Sequence, residues 1–162
     1  MRRYSNQDFR EKAYQALIKA AGDNYRIVRI RAAAALAGVP QTTIGEGDRR
    51  NVDRALQEYV NSILIRPDHW TSHYNMGNYH LAAGSPTQAI EAYETASKLD
   101  PRSPYPLVNQ SMAYARLGDS LKAEQSLRKA LKLDPGCAAA HFNLGLLYAE
   151  QKKMKQAERE LR

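Results

Sequence analysis

The chain repeats itself at a step of 34 residues. Ala55, Ala89, Ala123 and Ala157 keep that step, as do Pro67, Pro101 and Pro135, and Asn75, Asn109 and Asn143. Gly77, Ser111 and Gly145 place a small residue in register each time. A period of about 34 is that of a helix–turn–helix unit, which cannot bury its apolar face alone and stacks on neighbouring copies. The register therefore predicts an all-α chain, an α-solenoid of antiparallel helix pairs.

Composition agrees and removes several alternatives. The 162 residues are 43% hydrophobic, enough for a sizeable core. No apolar run approaches the ~20 residues that span a bilayer. The start, Met1 to Asp8, is basic but lacks the apolar stretch of a signal peptide, so an exported protein would carry its signal upstream. Cys137 is the only cysteine, which excludes an internal disulfide and a Cys-x-x-Cys metal or haem site. One cysteine fits a reduced compartment without excluding the periplasm. The net charge of +7 invites an anionic partner, yet the basic residues are scattered over most of the predicted helices.

From residue 70 the repeat reads directly. Trp70 to Gly84 gives a first helix and its stop, and Ser85-Pro86 opens a second, with Ser as the N-cap and Pro at the first helical position. Ala89, Ile90, Tyr93, Ala96 and Leu99 form its apolar stripe, and Asp100-Pro101 ends it. Over 104–137 the plan returns: Leu107, Ser111 and Tyr114 up to Gly118, then Ala123, Leu127, Ala130 and Leu133 up to Asp134-Pro135. A third unit opens with His141, Leu144, Gly145 and Tyr148 and continues into a helix with Ala157 and Leu161. Gly77, Ser111 and Gly145 are expected to face Ala89, Ala123 and Ala157, so that the helix axes approach closely.

These residues resemble the tetratricopeptide repeat (TPR) family, with Gln110 (where other units have Met76 and Leu144) and His80 (where they have Tyr114 and Tyr148) as departures. The resemblance implies a right-handed superhelix with repeats at 70–103 and 104–137, an incomplete one at 138–162, and a second-helix remnant at 51–69 carrying Ala55, Tyr59, Ser62 and Ile65. Upstream, Phe9, Ala13, Ala16, Leu17 and Ala20 predict one helix face, Gly22-Asp23-Asn24 a turn, and Val28 to Leu36 a helix resembling the second helix of a HEAT repeat. That places a HEAT-like pair at 1–39, a loop at 40–50, and one continuous solenoid.

No catalytic, cofactor or metal constellation stands out. No Gly-rich phosphate loop or nucleophile motif is present, and Glu91, Glu94, Glu124, Glu158 and Glu160 fall on solvated helix faces. His69 and His73 have the i, i+4 spacing of a metal pair but no third ligand, and packing is the simpler role. Cys137 follows Asp134-Pro135-Gly136 in a connecting turn and is expected to be inert. Arg29 and Arg31 match basic positions of HEAT helices, where such arginines tie neighbouring helices through carboxylates. With Arg26, Arg49, Arg50 and Arg54 they could instead present a positive face. Lys152, Lys153 and Lys155 are expected to be a solvated face.

In TPR proteins the concave surface is lined by each repeat's first helix. The resemblance carries the partner-binding positions onto Tyr74, Asn78 and Leu81, then Val108, Met112 and Arg116, then Phe142, Leu146 and Glu150. Apolar and aromatic side chains there suit a peptide with apolar anchors. TPRs that clamp the terminal carboxylates of heat-shock chaperones need basic groove residues, and Tyr74, Val108 and Phe142 stand in those places, which argues against that use.

The leading expectation is a non-catalytic scaffold for a peptide or protein partner. A second arises because HEAT-like helices followed by TPRs resemble the C-terminal part of certain bacterial multihaem c-type cytochromes. The chain would then be a haem-free assembly domain of a larger periplasmic protein. Nucleic-acid binding through the N-terminal arginines is a third. Both ends look cut, and the last helix lacks a polar capping face. Its Ala157 and Leu161 are therefore expected to seek cover, possible in a homodimer through the C-terminal helix.

Overall fold

The computed structural model describes residues 6–162. The basic start over 1–5 lies outside them. The chain divides into two compact units between Ile65 and Arg66. The first holds α1 (Asn6–Ala20), α2 (Arg26–Leu36), a 3-10 turn (Gln41–Thr43) and α3 (Glu46–Ile63). The second holds α4 (Trp70–Ala82), α5 (Pro86–Leu99), α6 (Tyr105–Arg116), α7 (Ser120–Leu133), α8 (Ala138–Glu150) and α9 (Met154–Leu161). No strand occurs among the described residues. No helix among them is long and apolar enough to cross a membrane.

In the first unit α1 packs on α2, and α2 on α3, around Ile18, Ala21, Ala33, Leu36, Val52 and Ala55. The buried face of α1 is the expected one only at its C-terminal end, where Leu17 and Ala20 pack against the core. Tyr14, Leu17, Ile18 and Ala21 turn inward, while Phe9 is 60% exposed and Ala13 and Ala16 lie at the surface. The inward set follows i, i+3, i+4, i+7 and withdraws more apolar surface from water than two alanines can. The expected loop over 40–50 is also shorter, because α3 starts at Glu46. Gly45 is its extended N-cap residue, and Glu46 and Asp48 place negative charge against the helix's positive end. Gly47 sits in the first turn, where its low helix propensity is offset by those favourable neighbours. Arg29 and Glu58 confirm the carboxylate tie: Nε and Nη2 donate to the two carboxylate oxygens at 3.0 and 2.8 Å. Arg31 is exposed.

The second unit is a stack of three helix pairs, α4–α5, α6–α7 and α8–α9, with α5 packing on α6 and α7 on α8. First helices also meet in succession, α4 with α6 and α6 with α8. The small residue of each first helix makes room for a specific large partner. A Cβ on Gly77 would lie 2.4 Å from the Tyr93 ring, and one on Gly145 would lie 2.6 Å from Leu161 Cγ. The facing residue is thus four positions beyond the periodic alanine, one turn further along the second helix. Ser111 and Leu127 hold the same positions in the middle pair, and both are buried.

The stops follow one plan. Gly84 and Gly118 take φ of +77° and +78°, and the amides after them return to the His80 and Tyr114 carbonyls at 2.8 and 3.0 Å. This is the left-handed termination that glycine adopts without a Cβ penalty. Lys152 stands at the third such position with φ +60°, and the Lys153 amide returns to Tyr148 O at 2.8 Å. Ser85 occupies the N-cap position of α5 but its hydroxyl accepts no hydrogen bond from the helix, whereas the Asp119 carboxylate accepts from the Lys122 amide at 3.0 Å. Ala157, expected on an open face, is buried within the last pair, and Leu161 lies over Gly145 while remaining about half exposed.

Candidate functional site

The inner positions of α4, α6 and α8 do not all face solvent. Tyr74 stacks at a tilt between Trp70 and Tyr93, with ring centroids at 5.8 and 6.1 Å. The Asn109 amide of the next repeat donates to Tyr74 Oη at 3.0 Å and to Asn78 Oδ1 at 2.8 Å, and the Tyr93 hydroxyl also donates to Asn78 Oδ1 at 2.8 Å. Burial pushes the Tyr93 hydroxyl well above its ordinary value, so it remains a protonated donor. Tyr74 and Asn78 are therefore committed to joining two repeats. Their periodic partner Asn109 was visible in the register, but spacing alone assigned it no bond.

Two other expected groove residues are core. Val108 is 3% exposed within the α6–α7–α8 cluster, and Leu81 is buried with Ala89, Ile90 and Tyr93. Leu81 is out of step by one residue: 34 positions before Arg116 stands Ala82, which is exposed. A one-residue shift rotates a helical side chain by about 100°, which carries it from the groove into the pair interface. The position shared by Tyr74, Val108 and Phe142 changes along the stack, since each is covered only when a following first helix lies over it. Phe142 is 56% exposed.

The remaining four expected residues come together. Met112 and Arg116 from α6, and Leu146 and Glu150 from α8, line one cleft of about 240 Å³ whose floor includes Ser111, Ala123 and Leu127. Ala115, Asn143 and Leu147 also line it and were not expected there. Asn143 belongs to the 34-residue asparagine series, so the register held that signal. Met112 and Leu146 are 41% and 44% exposed, an apolar pair standing in solvent. Arg116 Nη1 donates to the Leu81 carbonyl near the end of α4, which holds the guanidinium in the cleft wall that Glu150 also lines. Phe142 lines a separate depression with Leu161, Arg159 and Arg162.

The other sites resolve into packing. His69 Nδ1 is 2.7 Å from Thr71 Oγ1, and His73 Nε2 is 2.8 Å from the Pro67 carbonyl, so the two histidines serve the turn before α4. Among the described residues no group of three or more His, Cys, Asp or Glu side chains is placed to hold a metal. Cys137 is buried at the start of α8. Arg26, Arg31, Arg49, Arg50 and Arg54 are exposed, while Arg29 is neutralised by Glu58.

Comparison with known proteins gives the family. Residues 70–103 and 108–162 match two family models, each described as tetratricopeptide repeat. No curated protein matches the sequence. Among solved structures, MamA from Desulfovibrio magneticus RS-1 is 22% identical over 93% of this chain and 80% of that chain, with a TM-score of 0.58. The second TPR of Spaghetti (RPAP3), bound to the HSP90 peptide SRMEEVD, is 22% identical over 64% of this chain and 92% of that chain, with a TM-score of 0.53. A mutant O-GlcNAc transferase of Thermobaculum terrenum is 24% identical over 78% of this chain and 23% of that chain, with a TM-score of 0.51. At such identities the likeness is one of fold. Nothing in these comparisons supports the cytochrome resemblance.

Proposed function

The chain belongs to the tetratricopeptide repeat family, and from that premise we propose that it is an interaction scaffold that takes a peptide segment of a protein partner in the α6–α8 cleft. The observation that carries this reading is the cleft itself: two solvent-exposed apolar side chains, Met112 and Leu146, in one cleft with a cation at Arg116 and an anion at Glu150. Such a surface favours a segment with one apolar anchor flanked by charges of both signs. We assign it no catalytic role.

RPAP3 is described with a chaperone peptide, which supports peptide binding as a use of this fold. A terminal-carboxylate clamp is not what we propose here. Arg116 is the basic residue lining the cleft, and it is engaged with the Leu81 carbonyl. The test is selection of peptides from a random library on the full chain, followed by affinity measurement on variants. Leu146→Glu and Met112→Lys are expected to weaken the selected peptides about tenfold or more, as for a central apolar anchor, with unchanged helical melting. Equal binding by both folded variants would refute the cleft as the site.

A further inference from the structure

The stack repeats its geometry, so the α4–α6 step shows what fills the space that stands open in the α6–α8 step. Leu127 on the floor of the Met112–Leu146 cleft and Ala115 in its wall correspond, 34 residues back, to Tyr93 and Leu81. In the α4–α6 step those two side chains close the space from within. Tyr93 is fully buried, with its ring in the place that a Cβ on Gly77 would take, and Leu81 packs with it at 6% exposure. One repeat later a leucine stands for the tyrosine and an alanine for the leucine. Ala115 lies at the surface, and the cleft of about 240 Å³ opens at the same place in the stack.

The polar groups around the space change with it. In the α4–α6 step the Tyr93 hydroxyl and the Asn109 amide both donate to Asn78 Oδ1, each at 2.8 Å. Asn109 also donates to Tyr74 Oη at 3.0 Å, so phenols and asparagines form one network across the step. In the α6–α8 step Asn143 stands for Asn109, but Met112 stands for Asn78 and Val108 for Tyr74. Valine offers no acceptor and a thioether only a weak one. Asn143 Nδ2 turns back to the Ala139 carbonyl of its own helix at 2.9 Å, and the residue lines the cleft. The asparagine is kept, and the phenols it serves one repeat earlier are gone.

We propose that the cleft takes a tyrosine side chain of the partner, seated where the preceding step seats its own Tyr93 and Leu81. The inference rests on this cleft being the binding site and names what enters it. The ring is covered by Met112, Leu127 and Leu146, and the hydroxyl meets the Asn143 carboxamide, which can accept from it or donate to it. Removing an aromatic ring from water supplies most of the attraction. The hydrogen bond then decides for tyrosine over phenylalanine, and the flat ring decides for either over leucine. A neutral phenol also suits a cleft that carries one charge of each sign, at Arg116 and Glu150.

The test is an NMR titration of the isotopically labelled full chain with N-acetyl-tyrosinamide, with the phenylalanine and leucine analogues as comparators. Saturable shifts of the Leu127 and Leu146 methyls and of the Asn143 side-chain amide are expected, with tyrosine bound about fivefold more tightly than phenylalanine, the worth of one hydrogen bond. Asn143→Ala releases no bond between repeats. It should bring tyrosine down to the affinity of phenylalanine and leave phenylalanine unchanged. Ala115→Leu, which copies Leu81, should partly fill the cleft and weaken both aromatic probes about tenfold, with unchanged helical melting. Equal affinity for the three probes, a tyrosine preference that survives Asn143→Ala, or no shift at the cleft would overturn the tyrosine assignment. The cleft itself is judged separately, by the effect of Leu146→Glu on library-selected peptides, so selected peptides that need Leu146 but carry no tyrosine would sink this inference alone.

Discussion

Replacing Lys152 by glycine should stabilise the last helix pair. Lys152 takes φ +60° at the position where the two preceding repeats place Gly84 and Gly118 at +77° and +78°. A left-handed conformation costs a residue with a Cβ about 1–2 kcal/mol. Glycine gives back about 0.5–1 kcal/mol through its greater freedom in the unfolded chain. The net gain is therefore roughly 0.5–1 kcal/mol, since the hydrogen bonds of the turn, Lys152 N to Ala149 O and Lys153 N to Tyr148 O, belong to the backbone and survive the change. Solenoid repeats open one at a time, so the local readout is hydrogen exchange of the α9 amides rather than a single melting temperature. Protection there should rise roughly two- to fivefold in Lys152→Gly, the Boltzmann factor of that gain. Lys152→Ala keeps the Cβ and should gain nothing, which separates backbone strain from loss of the lysine charge. Equal protection in the two variants, or a loss in Lys152→Gly, would refute the reasoning.

Gly77→Ala should destabilise the α4–α5 pair by about 1–3 kcal/mol, because the new methyl meets a buried tyrosine ring rather than the end of a flexible chain; urea unfolding checks this, and a neutral result would mean that Tyr93 swings aside freely. The last pair should also loosen as pH rises through the His141 titration. His141 Nε2 is 2.9 Å from the Pro135 carbonyl and Nδ1 is 2.7 Å from Glu160, so both ring nitrogens face acceptors and the protonated form is favoured, first by the carbonyl and then by the carboxylate. A pKa raised on folding contributes stability that is complete below the unfolded value and is lost as pH climbs through the folded one. Melting followed from about pH 5 to pH 8 should show that decline, and His141→Leu, the residue the middle repeat carries as Leu107, should flatten it.

How much of this was legible depended on whether the responsible interaction is local or periodic. Helix pairs, stops and the prolines and glycines between them follow from backbone chemistry, and an observed period averages over local exceptions. The same logic failed where one copy stood alone. On α1, the Phe9–Ala13–Ala16 stripe and the Tyr14–Leu17–Ile18–Ala21 stripe compete, and only the mass of what packs against them decides. At 45–50, two glycines read as loop because composition does not count the acidic residues that stabilise a helix's first turn. Asn109 shows the third kind of limit. Its recurrence was plain, but its bonds reach Tyr74 and Asn78 in the preceding repeat, and no spacing within one sequence specifies a partner 31 or 35 residues away.

The groove positions carry the sharper lesson, because a side chain on the inner face of a first helix has two claimants. It can join its repeat to the next, as Tyr74 and Asn78 do through Asn109, or it can stand open to a partner, as Met112 and Leu146 do. A residue already holding hydrogen bonds and ring contacts across repeats cannot be offered to a ligand without giving them up, and leaving Asn109 unpaired would cost about 1–3 kcal/mol. Substituting a charge at Tyr74 would therefore lose binding by loosening the stack, and such a result would say nothing about contact with a partner. The discriminating substitutions lie at Met112 and Leu146, whose exposed side chains can change without releasing any of the inter-repeat bonds. On the proposed reading, recognition centres on the α6–α8 step, where Met112 and Leu146 leave apolar surface uncommitted.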